Sequence, residues 1–526
     1  MPEAPTQPMS AAHDTDAAAL LAATAGDPWG LVAPSVYDTA RLVSLAPRLG
    51  GHEQRVAYLL NEQNEDGSWG APDGYGLVPT LSAVEALLRE LARTGAASAP
   101  KRREETAAAC AAGLDALQGS LLDGEVPDTI GVEFVGPALL ADINAHLAAL
   151  PPGATDKLGP WSGAALSSAA PDLDGALLAH VRTLAGQDAL PEKLWHSLEA
   201  FTRDGACGAR PHAGSVGCSP AATAAWLGGA PERDTEAAAY LDAVQARFGG
   251  PVPSITPIVY FERAWVLNSL AASGLDYQVP AELRDSLEAG LTETGVPAAP
   301  GLPTDSDDTA AVLFALAQHG RPHRPDSLVH FRRDGYFSCF GVERTPSTST
   351  NAHILEALGH YAAIRPQEAD DYAADIAMIT TWLLANQLAD GSWTDKWHAS
   401  AYYATACCAL ALAEYGTGPA AREAAARAVR WALETQRPDG SWGRWQGTTE
   451  ETSYMVQLVL RAAAPQDRTT AVAAAERGCA WLTEYDDPAG YPGLWHDKDI
   501  YAPVTVIRAA RLAALALGRA ASGGAR

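Results

Sequence analysis

Positive charge is scarce in this 526-residue sequence: 37 lysines and arginines face 63 aspartates and glutamates, for a net charge of −26. Such a field repels phosphate backbones and argues against a nucleic-acid partner. A small anionic substrate would need a local cationic or metal site to offset it. Cysteine is scarce too. Its seven copies, Cys110, Cys207, Cys218, Cys339, Cys407, Cys408 and Cys479, are scattered, odd in number and without a Cys-x-x-Cys pair. They read as reduced thiols of a cytoplasmic protein rather than a disulfide framework. The N-terminal stretch carries Glu3, Asp14 and Asp16 and lacks the basic segment of a signal peptide. Long apolar runs are missing as well. The most helix-like uncharged stretch, residues 397–413, contains His398, Ser400, Tyr402, Tyr403 and Thr405, which predicts a buried helix rather than a membrane span.

Hydrophobic residues at 47% and charged residues at 19% allow a large core and exclude wholesale disorder. A chain of this length holds roughly two to four domains. Alanine, leucine and arginine dominate the long segments, and alternating Val/Ile/Thr strands are rare. Residues 80–91, 309–319, 420–436 and 469–485 all read as helices, and Gly, Pro, Asp and Ser punctuate them. The fold class is therefore all-α.

An internal repeat sets the architecture. Gln387-Leu-Ala-Asp390-Gly391-Ser392-Trp393 recurs 49 residues later as Gln436-Arg-Pro-Asp439-Gly440-Ser441-Trp442, and Trp382 maps onto Trp431 with the same offset. A third copy, Gln63-Asn-Glu-Asp66-Gly67-Ser68-Trp69, lies far upstream, with degenerate Asp-Gly turns at Asp204-Gly205 and Asp334-Gly335. Repeats of this length indicate stacked helix–turn–helix units. Within each, Gln is expected to satisfy terminal helix carbonyls, Asp-Gly to make the turn, and Trp to fold back over the helix end. Pro/Gly-rich stretches at 151–160 and 249–257 separate the repeat groups. The division they suggest is a helical domain over 51–300, a second over 301–526, and an N-terminal segment, 1–50, packing with the second.

The sharpest chemical signal is Asp305-Ser306-Asp307-Asp308-Thr309, which follows Leu302-Pro303-Thr304 and opens an apolar run at Ala310. Pro303 and Thr304 predict a helix entry here, where the helix dipole favours carboxylates. Three crowded carboxyls do not all ionise cheaply, so one is expected to keep its proton, as a strong general acid requires. Taken alone, the cluster also fits a helix cap with two solvated acids, or a divalent-metal site.

Residues 305–310 resemble the Asp-x-Asp-Asp-Thr-Ala signature of class II terpene cyclases, and the three Gln…Trp repeats are similar to that superfamily's Gln–Trp motifs. Further segments resemble copalyl diphosphate synthases: Pro34-Ser35-Val36-Tyr37-Asp38-Thr39-Ala40, Ile130-Gly131-Val132-Glu133-Phe134, Leu194-Trp195-His196-Ser197-Leu198-Glu199 and Leu494-Trp495-His496-Asp497-Lys498-Asp499-Ile500-Tyr501. The resemblance implies two α/α-barrel domains, called β and γ, with the γ domain inserted after the first β helix and the active site between them. It implies a class II diterpene cyclase that protonates geranylgeranyl diphosphate and closes it to a bicyclic copalyl-type diphosphate, with the diphosphate retained.

By the same resemblance, Asp307 is the general acid, tuned by Asp305 and Asp308. Mg²⁺ is the implied cofactor, with Asp123 and Glu125 as its candidate ligands. Lys498 and Arg508 are the candidate diphosphate contacts. His196 matches a histidine that, with an asparagine, holds the terminating water in plant members, and Ser254 stands where that asparagine would be. The Asp-Asp-x-x-Asp cluster of class I synthases is not matched: Asp370-Asp371-Tyr372-Ala373-Ala374-Asp375 has one residue too many and reads as a solvated helix face. A downstream class I synthase is an expected consumer of the product. The rival readings are a farnesyl diphosphate cyclase making drimenyl diphosphate, a squalene–hopene type cyclase, and a non-catalytic α/α-barrel scaffold.

Overall fold

The computed structural model describes residues 9–94, 100–150, 157–202, 207–341, 343–485 and 490–523; Asp204-Gly205 lies outside them. The alanine-rich segments form helices close to the expected bounds, among them Leu77–Thr94, Gly418–Glu434 and Arg468–Glu484. The uncharged stretch near residue 400 becomes the buried helix Ala401–Tyr415. Among the described residues, one two-stranded ladder, Trp495–His496 against Ile500–Tyr501, is the only sheet, and no helix is long and apolar enough to cross a membrane.

The helices close into two rings. In the C-terminal ring, Val259–Ala271, Ser306–Gln318, Thr348–Ile364, Ala401–Tyr415, Thr449–Ala462 and Val504–Gly523 each pack on the next, and the last packs on the first. Outside them lie Ala281–Gly290, the 3₁₀ segment Pro325–Phe331, Ala373–Ala385, Gly418–Glu434, Arg468–Glu484 and the N-terminal Met9–Gly26. In the other ring, Val36–Leu45, Leu77–Thr94, Val132–Ala149, the 3₁₀ segment Glu192–Ala200 and Pro220–Leu227 form the inner circle. The inner helices bury nearly all round. Thr348–Ile364, for example, buries Ala352, Ile354, Leu355, Ala357 and Leu358, as a helix wrapped by neighbours must.

The chain therefore begins in one barrel, crosses to the other and returns. The crossings are pinned by isolated bridges between Val32 and Pro503 and between Pro34 and Pro253. This moves two sequence boundaries. Val259–Ala271 and Ala281–Gly290, placed by punctuation in the 51–300 unit, belong to the C-terminal ring, and Val36–Leu45, placed with the N-terminal segment, belongs to the other. The Pro/Gly stretch 249–257 is itself the crossing.

The repeats are structural staples. Gln63, Gln387 and Gln436 each donate through Nε2 twice. One bond goes to the glycine carbonyl of their own turn, at 2.8–2.9 Å. The other goes to a carbonyl of the next outer helix (Ala109, Ala424 or Ala474) at 2.9 Å. The fully buried Trp69, Trp393 and Trp442 donate their indole N–H to Leu59, Leu383 and Ala432 carbonyls at 2.6–2.9 Å. Gly67, Gly391 and Gly440 have φ of 88–98°, and a Cβ there would meet the neighbouring helix backbone at 2.6–2.9 Å. Only glycine meets both demands.

Candidate active site

A cavity of about 340 Å³ lies between the two rings, within the size range of small-molecule sites. The N-terminal ring supplies residues 128–134 and 193–197. The C-terminal ring supplies residues around 255–261, 298–308, 339–345, 396–397 and 495–501. Much of the wall is apolar, with Phe134, Phe261, Phe340, Trp397, Trp495 and Tyr501 offering aromatic surface. Behind them Trp265 packs on Phe261 at 4.3 Å between ring centres. Such faces attract a cation and exclude water.

The acidic cluster sits at the start of Ser306–Gln318 and lines this cavity. The helix entry is Asp305 itself, not Pro303-Thr304: its Oδ1 accepts the Asp308 backbone N–H at 2.8 Å, a cap of the usual kind. Ser306 Oγ donates to the Ser338 carbonyl at 2.9 Å, tying the turn to the adjacent loop. Burial pushes the Asp305 carboxyl up to about 7, against the opposing pull of its hydrogen bonds from Asp308. Burial and the Asp305 charge push Asp308 well above the carboxylate range. Burial thus favours the neutral forms of both, and the backbone bond from Asp308 fixes Asp305 in the turn that carries Asp307.

Asp307 is the member left open. Its side chain keeps 14% exposure, and its Oδ1 meets His353 Nδ1 at 2.7 Å. Burial would lower the imidazole, but the Asp307 charge overrides it and raises His353 well above its ordinary value. A hydrogen bond from His353 to one oxygen stabilises the carboxylate that remains once the proton has left the other. Trp265 packs at right angles to the His353 ring, 5.3 Å between ring centres. His353 lies 46 residues downstream in a buried helix, and nothing in its local sequence singled it out.

Residues 341–504 match the squalene-hopene cyclase C-terminal domain. An ent-copalyl diphosphate synthase of Streptomyces sp. (strain KO-3988) is 48% identical over 502 residues, covering 93% of each chain. A labda-7,13-dienyl diphosphate synthase of Streptomyces clavuligerus is 42% identical, covering 98% of this chain and 94% of its own. The solved ent-copalyl diphosphate synthase of Streptomyces platensis is 73% identical with a TM-score of 0.95, covering 97% of this chain and all of that one. The chain belongs to the class II diterpene cyclases of the copalyl diphosphate synthase type.

As a class II diterpene cyclase, the protein departs from several sequence expectations. Lys498 does not face the cavity. It is fully buried, with Nζ 3.0 Å from Glu199, 3.3 Å from Asp38 and 2.8 Å from Ser219 Oγ. Burial alone would lower its ammonium, and the charges of Asp38 and Glu199 raise it instead. Its partners belong to the N-terminal ring, so Lys498 pins the two barrels together. Arg508, half-buried in Val504–Gly523, is not part of the cavity wall. Among the described residues, the lysines and arginines that reach the cavity are Lys193, Arg344 and Lys396. Arg344 bonds Asp128 and lies 3.1 Å from Asp172, and Lys396 meets Glu343 at 2.5 Å. No chain-local pattern marked these three, because single cations on loops look like surface.

Asp123 and Glu125 are exposed and lie outside the cavity wall; Asp128 and Glu133, a few residues on, line it. His196 does line the cavity, but Nδ1 faces the Gly217 carbonyl and Nε2 faces Asp497 Oδ1, each at 2.7 Å. Ser254 is fully buried beside Asp497, whose carboxyl its hydroxyl helps to lower. Asp370 and Asp371 are exposed on the turn Pro366–Asp371, away from the cavity.

Proposed function

We propose that the protein converts geranylgeranyl diphosphate to a bicyclic copalyl-type diphosphate with the diphosphate retained. The observation that carries this reading is Asp307, backed by His353 and bracketed by Asp305 and Asp308, on the wall of an aromatic cavity. The Asp307 proton adds to the terminal alkene, whose π pair forms the new C–H bond. The tertiary cation left behind is attacked by the neighbouring alkenes in turn. The alkene is a very weak base, so the acid needs this dry, pre-organised setting.

The relatives named above as copalyl diphosphate synthases favour the C₂₀ substrate over farnesyl diphosphate. Incubation with both, followed by dephosphorylation and mass spectrometry, tests this directly. A bicyclic C₂₀ alcohol is the expected product; a C₁₅ bicycle alone, or released pyrophosphate, contradicts it.

Arg344 and Lys396 are the groups to hold the diphosphate. Arg344 is half exposed and can exchange its carboxylate partners for phosphate oxygens. Arg344→Ala should raise KM about tenfold or more, as loss of a charge-assisted hydrogen bond implies, with kcat little changed. An unaltered KM would remove Arg344 from the site.

Mg²⁺ binds through one or two carboxylates plus phosphate oxygens. Among the described residues there is no ready-made cluster of three or more His, Cys, Asp or Glu side chains for a metal. Asp128 and Glu133 fit the more modest requirement. Both face the cavity, and the Glu133 carboxyl, raised by burial, would be relieved by a cation. Bound there, Mg²⁺ would neutralise diphosphate charge in a strongly acidic protein. Excess chelator should therefore raise KM and leave the fold intact, and full activity in chelator would argue against the metal.

A further inference from the structure

The environment of His196 leaves no basic nitrogen. Both ring nitrogens face acceptors at 2.7 Å, so both must carry protons. Asp497 is the opposite case. Its Oδ1 takes two hydrogen bonds, from His196 Nε2 and from the Lys498 backbone N–H at 2.7 Å. Its Oδ2 is buried. The buried Ser254 hydroxyl lies beside the carboxylate and helps to hold it ionised. The residue itself is held rigidly: its carbonyl accepts the Ile130 N–H at 3.0 Å and its N–H donates to the Asp499 carbonyl at 3.1 Å. Asp497 and His196 line the same cavity as Asp307.

We propose that Asp497 accepts the proton that ends the cyclisation, through its Oδ2 and with the Ser254 hydroxyl alongside, while His196 is a positioning residue. The inference rests on the cyclase reading above. In the step, a C–H bond next to the cationic carbon breaks, its electron pair becomes the ring-associated C=C bond, and the proton passes to Oδ2, directly or through one water shared with Ser254 Oγ. The proton given by Asp307 is thereby balanced by one taken at Asp497, and the reaction is a net isomerisation needing no co-reactant. The Asp497 carboxylate is held to about 2, where the His196 and Lys498 charges overcome burial. The ionised form, the one able to accept a proton, is thereby favoured. A proton beside a carbocation is acidic enough that position, not basicity, limits the step.

The test uses Asp497→Asn and Ser254→Ala in the full chain, with folding checked by circular dichroism and urea midpoint. Both are incubated with geranylgeranyl diphosphate, and the dephosphorylated products are resolved by gas chromatography–mass spectrometry. Substrate consumption should stay within about tenfold of the unsubstituted enzyme, because protonation and ring closure precede the step. The product should shift to hydroxylated bicycles or isomeric alkenes, strongly in Asp497→Asn and partly in Ser254→Ala. A purely structural role would change rate or stability but not this partition. If folded Asp497→Asn yields only the original alkene, or consumes no substrate, the proposal fails. If that variant does not fold, Ser254→Ala decides alone, since it leaves the His196–Asp497 pair intact. Failure of the cyclase reading shows separately, as absence of any cyclised diphosphate from the unsubstituted enzyme.

Discussion

Asp307→Asn should fold normally, bind prenyl diphosphate and form no cyclic product. The amide keeps the shape of the carboxyl and can still accept from His353 at the position 2.7 Å away, but it has no acidic proton to give. Loss of a general acid costs about 10²–10⁴ in rate, and a dry aromatic wall offers no hydronium in its place. His353→Ala should retain a fraction of the activity, since the acid remains and only the stabilisation of its conjugate base is lost. The measurement is single-turnover conversion of geranylgeranyl diphosphate, with binding followed separately. Turnover of Asp307→Asn near the original rate would sink the assignment, and equal losses in both variants would mean the pair acts as one unit.

Lys498→Met should unfold at markedly lower urea concentration. The methionine fills the space but leaves Asp38 and Glu199 facing each other in the interior without their counter-charge. Removing one partner of a buried ion pair costs about 3–5 kcal/mol. Combining Lys498→Met with Asp38→Asn should restore part of that loss, because burial already pushes the Asp38 carboxyl up to about 7 and favours its neutral form. The variant's KM, measured well below its unfolding range, should be nearly unchanged. A raised KM with normal stability would return Lys498 to the diphosphate.

The particular residues show why some of this was legible from sequence and some was not. The Gln…Trp staples are local: donor, turn and indole sit within eleven residues of their acceptors or one helix away, so their chemistry survives as a readable string. Asp305, Asp307 and Asp308 are likewise contiguous, and helix entry gives them a shared physical reason. The His353 contact has no such trace. It depends on two ring helices facing each other, 46 residues apart in sequence, and a histidine in an apolar helix looks like any buried residue. At the hairpin, the cation Lys498 is the diphosphate contact that the sequence suggests. The fold turns that side chain toward the other barrel and leaves the preceding residue, Asp497, in the cavity. The domain boundaries moved for a related reason: punctuation marks where a chain bends, not which ring the next helix joins.

The outer position of Met9–Gly26 has a consequence for how the molecule is made. Ala17 and Leu21 are fully buried in a cluster shared with Val506, Ala509 and Leu512, so this helix finds its seat only on Val504–Gly523 and its neighbours. During synthesis it leaves the ribosome long before that seat and must wait while nearly 500 residues are translated at about 5–20 per second. The inserted barrel, contiguous in the chain, can form in that interval. The barrel that carries Asp307 cannot seal until Val504–Gly523 is released, so the acid-bearing half of the cavity is completed only after the inserted barrel has been translated.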